Sequence, residues 1–143
     1  MEQRKNIVRE KSFGFAVRIV RLNQYLVEKK KEYTVARQVL KSGTSIGANV
    51  EEADNAISKA DFSNKISIAL KEAKETHYWL RLLVETGHLE LPLFESLIKD
   101  CMNFANCSSR FSRPAGSESY KQGDSITITH SSLFINHYSR RFQ

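Results

Sequence analysis

No apolar run in this chain approaches the roughly 20 residues that a membrane-spanning helix needs. The N-terminal stretch MEQRKNIVREKS also lacks the apolar core of a signal peptide, so the expected location is the cytoplasm. Cysteine is scarce. Cys101 and Cys107 stand six apart with neither the paired CxxC spacing nor the nearby histidines of a zinc site, and they read as reduced, structural thiols. Proline occurs only at Pro92 and Pro114, so nothing in the first 91 residues is barred from helix on that account. Up to Ser109 the chain also lacks a glycine-rich phosphate loop, strand-like alternation, and any repeat with a period of about 20 to 50 residues. These absences exclude a membrane protein, a disulfide scaffold, a nucleotide-binding α/β domain and a solenoid.

What remains is a soluble chain of 143 residues, about one domain in size, with 41% hydrophobic and 27% charged residues. Its net charge is +6. Residues 1–33 hold nine Lys or Arg against four Glu, and residues 110–143 are also cationic, so the positive charge sits at the two ends of the chain. Such an excess favours an anionic partner without choosing among RNA, DNA and an acidic protein.

The periodicity is helical. Phe15, Ile19, Leu22 and Leu26 step by four and three, with Ala16, Val20 and Val27 widening the face; Ser12 is the expected N-cap, and the helix runs into Glu28-Lys29-Lys30-Lys31-Glu32. A second, long helix follows with Thr34 as its cap and Val35, Val39, Ile46, Val50, Ala53 and Ile57 on one face. Ser58 or Asp61 caps the third, in which Phe62, Ile66, Ala69, Ala73, Thr76, Leu80 and Leu83 keep the same steps until Gly87. Pro92 opens a fourth carrying Leu93, Leu97, Cys101 and Phe104. Four helices joined by short connections predict an all-α, antiparallel up-down-up-down four-helix bundle over residues 1–109. Residues 110–143 are rich in Ser, lose the helical period, and read as a mostly irregular, mobile tail; Ser125–Thr129 alternates without a partner strand, and Leu133–Phe142 has the pattern of a short helix.

The second helix contains an unusual stretch, Ser42–Ala53, SGTSIGANVEEA. Gly43 and Gly47 lie one turn apart, with Ser45, Asn49 and Glu52 on a neighbouring strip. Each glycine costs a helix about 1 kcal/mol relative to alanine, so a helix here implies close packing against another helix, within the chain or between subunits; the alternative is a loop between two short helices.

Catalytic constellations are weak. Glu51, Glu52, Glu72, Glu75 and His77 invite a carboxylate-bridged metal site, but such bundles need Glu-x-x-His on two helices, and His77 follows Glu75 by two residues, which turns it to another face. Ion pairs with Lys71, Lys74 or neighbouring helices account for these glutamates, and no metal or other cofactor is expected. The serines and cysteines have no identifiable base and orienting partner. The residues left for binding are the basic ones of the N-terminal third: Arg4, Lys5, Arg9, Lys11, Arg18, Arg21, Lys29, Lys30 and Lys31. Arg18 and Arg21 share a face, with Lys11 and Lys29 farther along it. Tyr78 and Trp79 beside the Leu80 seam are candidates for core or subunit packing, together with Gly43, Ser45, Gly47 and Asn49.

The phrases FAVRIVRL at 15–22, SGTSIGANVEEA at 42–53, SKADFSNKISIALKEAKET at 58–76 and HYWLRLL at 77–83, in that order and spacing, resemble the bacterial four-helix bundle family of the 23S rRNA intervening-sequence protein. The resemblance spans about residues 12–105, and residues 110–143 depart from it. A relative of that family is the accessory protein of diversity-generating retroelements, a basic ring-shaped pentamer that works with nucleic acid and a reverse transcriptase. The resemblance therefore implies a homopentamer with positive surface open to nucleic acid, and it brings no catalytic residue. Two functional readings follow. One is a non-enzymatic oligomer that binds RNA or DNA through backbone phosphates as an accessory factor; the other is a scaffold whose basic helix recognises an acidic protein.

Overall fold

The computed structural model describes residues 2–109, with side chains described over residues 6–103. The helices are α1, Glu2–Glu28; α2, Thr34–Asp54; α3, Lys59–Glu85; and α4, Leu91–Ser109. Helix α1 packs on α2 and α4, and α3 packs on the same two from the far side, so the four follow one another around a square with α1 and α3 on a diagonal. This is the expected all-α bundle. The tail expectations, including Ser125–Thr129 and Leu133–Phe142, lie outside the described residues.

One contiguous core runs the length of the bundle. Phe15, Ile19, Leu22 and Leu26 of α1 meet Val39, Ile46 and Val50 of α2, Ile66, Ala69, Ala73, Leu80 and Leu83 of α3, and Leu97 and Cys101 of α4. Full burial of a Leu, Ile or Val side chain contributes about 1.5–3 kcal/mol, far more than any helix propensity in the chain. The stretch Ser42–Ala53 is continuous helix, which removes the loop alternative.

The helix ends depart from the sequence reading in three places. Helix α1 starts at Glu2 rather than at Ser12, because Val8 is buried and extends the seam another turn, and Arg9 pairs with Glu51 at 3.1 Å. Ser12 is thus internal and buried, its hydroxyl donating to the Arg9 carbonyl at 2.8 Å. Thr34 is the first residue of α2 and not its cap. Glu32 caps instead: its carboxylate accepts from the backbone N–H of Thr34, Val35 and Ala36 at 3.1, 2.9 and 2.6 Å, placing a full negative charge at the positive end of α2. Helix α2 stops at Asp54, so Ile57, expected on its apolar face, sits in the turn and is 95% exposed.

Other ends behave as expected. Ser58 accepts from the Asp61 N–H at 3.1 Å while Asp61 accepts from the Ile57 N–H at 3.3 Å, a reciprocal cap for α3. Gly87 adopts φ +72°, and the N–H groups of Gly87 and His88 donate to Val84 and Leu83 at 3.0 and 2.9 Å, closing α3 with paired bonds that a left-handed residue permits. At the end of α1 the left-handed position, φ 55°, is held by Lys31.

Candidate assembly and nucleic-acid surfaces

The two glycines of α2 face α1 inside the chain. A Cβ on Gly43 would come within 2.8 Å of both Cγ atoms of Ile19, so only glycine allows this approach. A Cβ on Gly47 would lie 3.5 Å from the Ser12 carbonyl oxygen, ordinary contact for a methyl group. Asn23 adds a bond across the same seam, donating to the Ala36 carbonyl at 3.0 Å. On the α3 side the buried hydroxyls of Thr76 and Ser42 lie 2.9 Å apart: Ser42 donates to the Gln38 carbonyl, and the single Thr76 proton is shared between the Ser42 oxygen and the Glu72 carbonyl. Ser45 and Asn49 bond to each other, the Asn49 amide donating to the Ser45 carbonyl at 2.8 Å, and both stay half-buried. Trp79 packs against the core and donates from Nε1 to Glu75 at 3.1 Å. Its neighbour Tyr78 is 57% exposed and meets the indole edge-to-face at 4.8 Å.

The basic residues divide into two groups. Arg9 is held by Glu51 and, at 3.5 Å, by Asp54; Arg18 by Asp100 and by Ser96, whose hydroxyl accepts at 2.9 Å; Lys30 by Glu90 at 4.0 Å, with Tyr25 below it. Arg9 and Arg18 tie α1 to α2 and to α4, and Lys30 ties the turn after α1 to the approach of α4. Lys11, Arg21, Lys29 and Lys31 are exposed and have no ion pair among the described residues. Arg4 and Lys5 belong to the first turns of α1, and their side chains lie outside the described residues.

Of the glutamates weighed as metal ligands, Glu51 and Glu52 pair with cations of neighbouring helices, whereas Glu72 and Glu75 form no ion pair with Lys71 or Lys74 among the described residues. Glu52 pairs with Lys65, whose ammonium is held charged above its usual range by that contact. Burial pushes the Glu72 carboxyl up, Glu75 adds to the push, and Lys41 opposes it. The His77 ring lies tilted against Phe94 with centroids 6.5 Å apart, and burial, then Arg81, push its imidazole down. Among the described residues no group of three or more His, Cys, Asp and Glu is placed to hold a metal ion, and no helix is long and apolar enough to cross a membrane. The buried Cys101 thiol donates to the Ala73 carbonyl and is pushed up to about 11 by burial and by Asp100, which makes it a poor nucleophile at neutral pH. A crevice between the helix ends is lined by Val8, Val50, Ala53, Phe62 and Ile66, with the Arg9–Asp54 pair as its polar part.

One surface was not legible as such in the sequence. Phe13, Val17 and Val20 form an apolar strip on the outside of α1, where Phe13 is 64% and Val20 40% exposed. Val20 therefore does not widen the inner face. The spacing of four and three was the available signal; it matches that of the inner seam.

The chain matches the family model described as the 23S rRNA-intervening sequence protein over residues 4–109. Among solved structures it is similar to a protein of unknown function from the S23 ribosomal protein family of Bacteroides thetaiotaomicron VPI-5482, at 47% identity and TM-score 0.75, covering 77% of this chain and 99% of that one. No curated protein matches it. Neither description names an enzyme. With the family model spanning all four helices, the chain belongs to the 23S rRNA-intervening sequence protein family.

Proposed function

We propose that this protein is a non-enzymatic, self-associating helical bundle that binds RNA or DNA through backbone phosphates, as an accessory factor rather than a catalyst. The observation that carries the reading is the outward side of α1. It presents an uncovered apolar strip, Phe13, Val17 and Val20, on a helix that also carries Lys11 and Arg21 and runs on into Lys29 and Lys31, four exposed cations with no ion pair among the described residues. The strip suits a second copy of the chain, and the resemblance to a pentamer suggests five. Copies joined in this way repeat the cations around one assembly, which turns a weak stripe into a multivalent surface. Phosphate contacts of this kind are indifferent to sequence and fall off steeply with salt. The family's name, taken from an intervening sequence of 23S rRNA, favours RNA as the first ligand to try.

The test is fluorescence anisotropy of a labelled structured RNA titrated with the full chain at about 50 and 200 mM salt. The proposal expects binding at the lower salt that weakens by an order of magnitude or more at the higher, as several phosphate contacts require. Binding no tighter than that of a neutral protein of similar size overturns it. Partners captured from extract that survive nuclease would instead favour the scaffold reading, with the same cations recognising an acidic protein.

A further inference from the structure

A second cationic strip lies on the helix diagonally opposite α1. Lys71, Lys74, Tyr78 and Arg81 follow one another along α3 at intervals of three, four and three, so they share one side over about 15 Å of helix. All four are exposed, and the three cations have no ion pair among the described residues. The reverse side of the helix carries the buried seam from Ile66 to Leu83. The acidic neighbours on α3 are engaged elsewhere or peripheral. Glu75 accepts from the Trp79 indole, Glu72 is half-buried beside Lys41, and Glu85 closes the helix.

Tyr78 distinguishes this strip from the α1 cations. Its ring meets Trp79 edge-to-face at 4.8 Å, and Trp79 is itself fixed by the core and by Glu75, so an exposed aromatic is braced among three positive charges that have no ion pair among the described residues. A duplex uses such a strip only through its phosphates. An unpaired strand also offers bases that stack on an aromatic ring while its phosphates reach the cations. We infer that the outer face of α3, Lys71-Lys74-Tyr78-Arg81, is a binding site for single-stranded nucleic acid. The inference rests on the nucleic-acid reading given above and assigns the unpaired strand to a surface that assembly through α1 leaves open.

The experiment compares a labelled 20-nucleotide oligouridylate with a 20-base-pair duplex, using the full chain, Tyr78→Ala, Tyr78→Phe, and the double variant Lys71→Gln/Lys74→Gln. Circular dichroism checks each fold, and all four changes are to exposed residues. Trp79 is the single tryptophan and serves as an unlabelled reporter beside Tyr78. The expected result is that oligouridylate changes Trp79 emission and that Tyr78→Ala weakens its binding about tenfold, the loss of roughly one stacked base, while Tyr78→Phe binds like the parent and duplex affinity barely moves. In the double variant the slope of log K against log salt should fall in magnitude by about 1.4, roughly 0.7 for each single-strand phosphate that the removed lysines no longer neutralise. Oligouridylate binding that is unchanged in every variant and silent in Trp79 emission overturns this inference and leaves the broader reading standing. Failure of both oligonucleotides to bind the parent overturns both. A change in the solution mass of the double variant, with unchanged oligouridylate binding, assigns the strip to a contact between copies and also overturns the inference.

Discussion

Helix α1 has an inward seam of Ser12, Phe15, Ile19, Leu22 and Leu26, every member buried, and an outward strip of Phe13, Val17 and Val20 with the same steps, in which Phe13 keeps 64% of its surface. The inward seam is matched by the rest of the chain down to single atoms, since Gly43 is bare where Ile19 approaches. The outward strip has no such partner among the described residues. Periodicity marks both sides as apolar, but only the fold shows which of them the chain covers with its own helices. Inner substitutions should therefore change folding, and outer ones should change association.

Ile19→Ala gives the largest expected effect, about 2–5 kcal/mol of lost stability in chemical denaturation, from lost burial and an unfilled cavity. Gly43→Ala comes next, at about 1–3 kcal/mol, because its new methyl would overlap Ile19. The two should couple: in the Ile19→Ala background Gly43→Ala should cost much less, and a double-mutant cycle that sums to simple additivity would show that the close contact is not the reason for the glycine. Gly47→Ala should have the opposite sign, gaining up to about 1 kcal/mol, since its new methyl would sit at an ordinary 3.5 Å from the Ser12 carbonyl oxygen and helix propensity favours alanine. Phe13→Asp should be the mildest for folding, within about 0.5 kcal/mol for the isolated bundle, with its helical dichroism unchanged.

Much of the fold could be read from local pattern. The α3 seam, the Ser58 cap and Gly87 depend on residues within a few positions of one another, and the structure keeps them all. What escaped depends on distant partners or on competition between neighbours. The true start of α1 is set by Val8 in the core and by Arg9 reaching Glu51, 42 positions on. Thr34 is a plausible cap until Glu32, two residues earlier, bonds to three N–H groups at once. The candidate site was legible only in outline for the same reason. Arg9 and Arg18 look like their unpaired neighbours in sequence, and only the α2 carboxylates and Asp100 of α4 separate structural cations from free ones. Gly43 and Gly47 were recognisable as a close-packing pair, but which of them is obligatory depends on whether Ile19 or the Ser12 carbonyl lies opposite.

The claim on which the rest depends is that the outward strip of α1 joins copies of the chain. Its most direct test is the absolute mass in solution, by light scattering, of the parent and of Phe13→Asp at equal concentration. The account predicts a multiple of the chain mass for the parent, five by the family resemblance, and a folded species of lower mass for the variant. A parent that is monomeric, or a variant that assembles as the parent does, would contradict it.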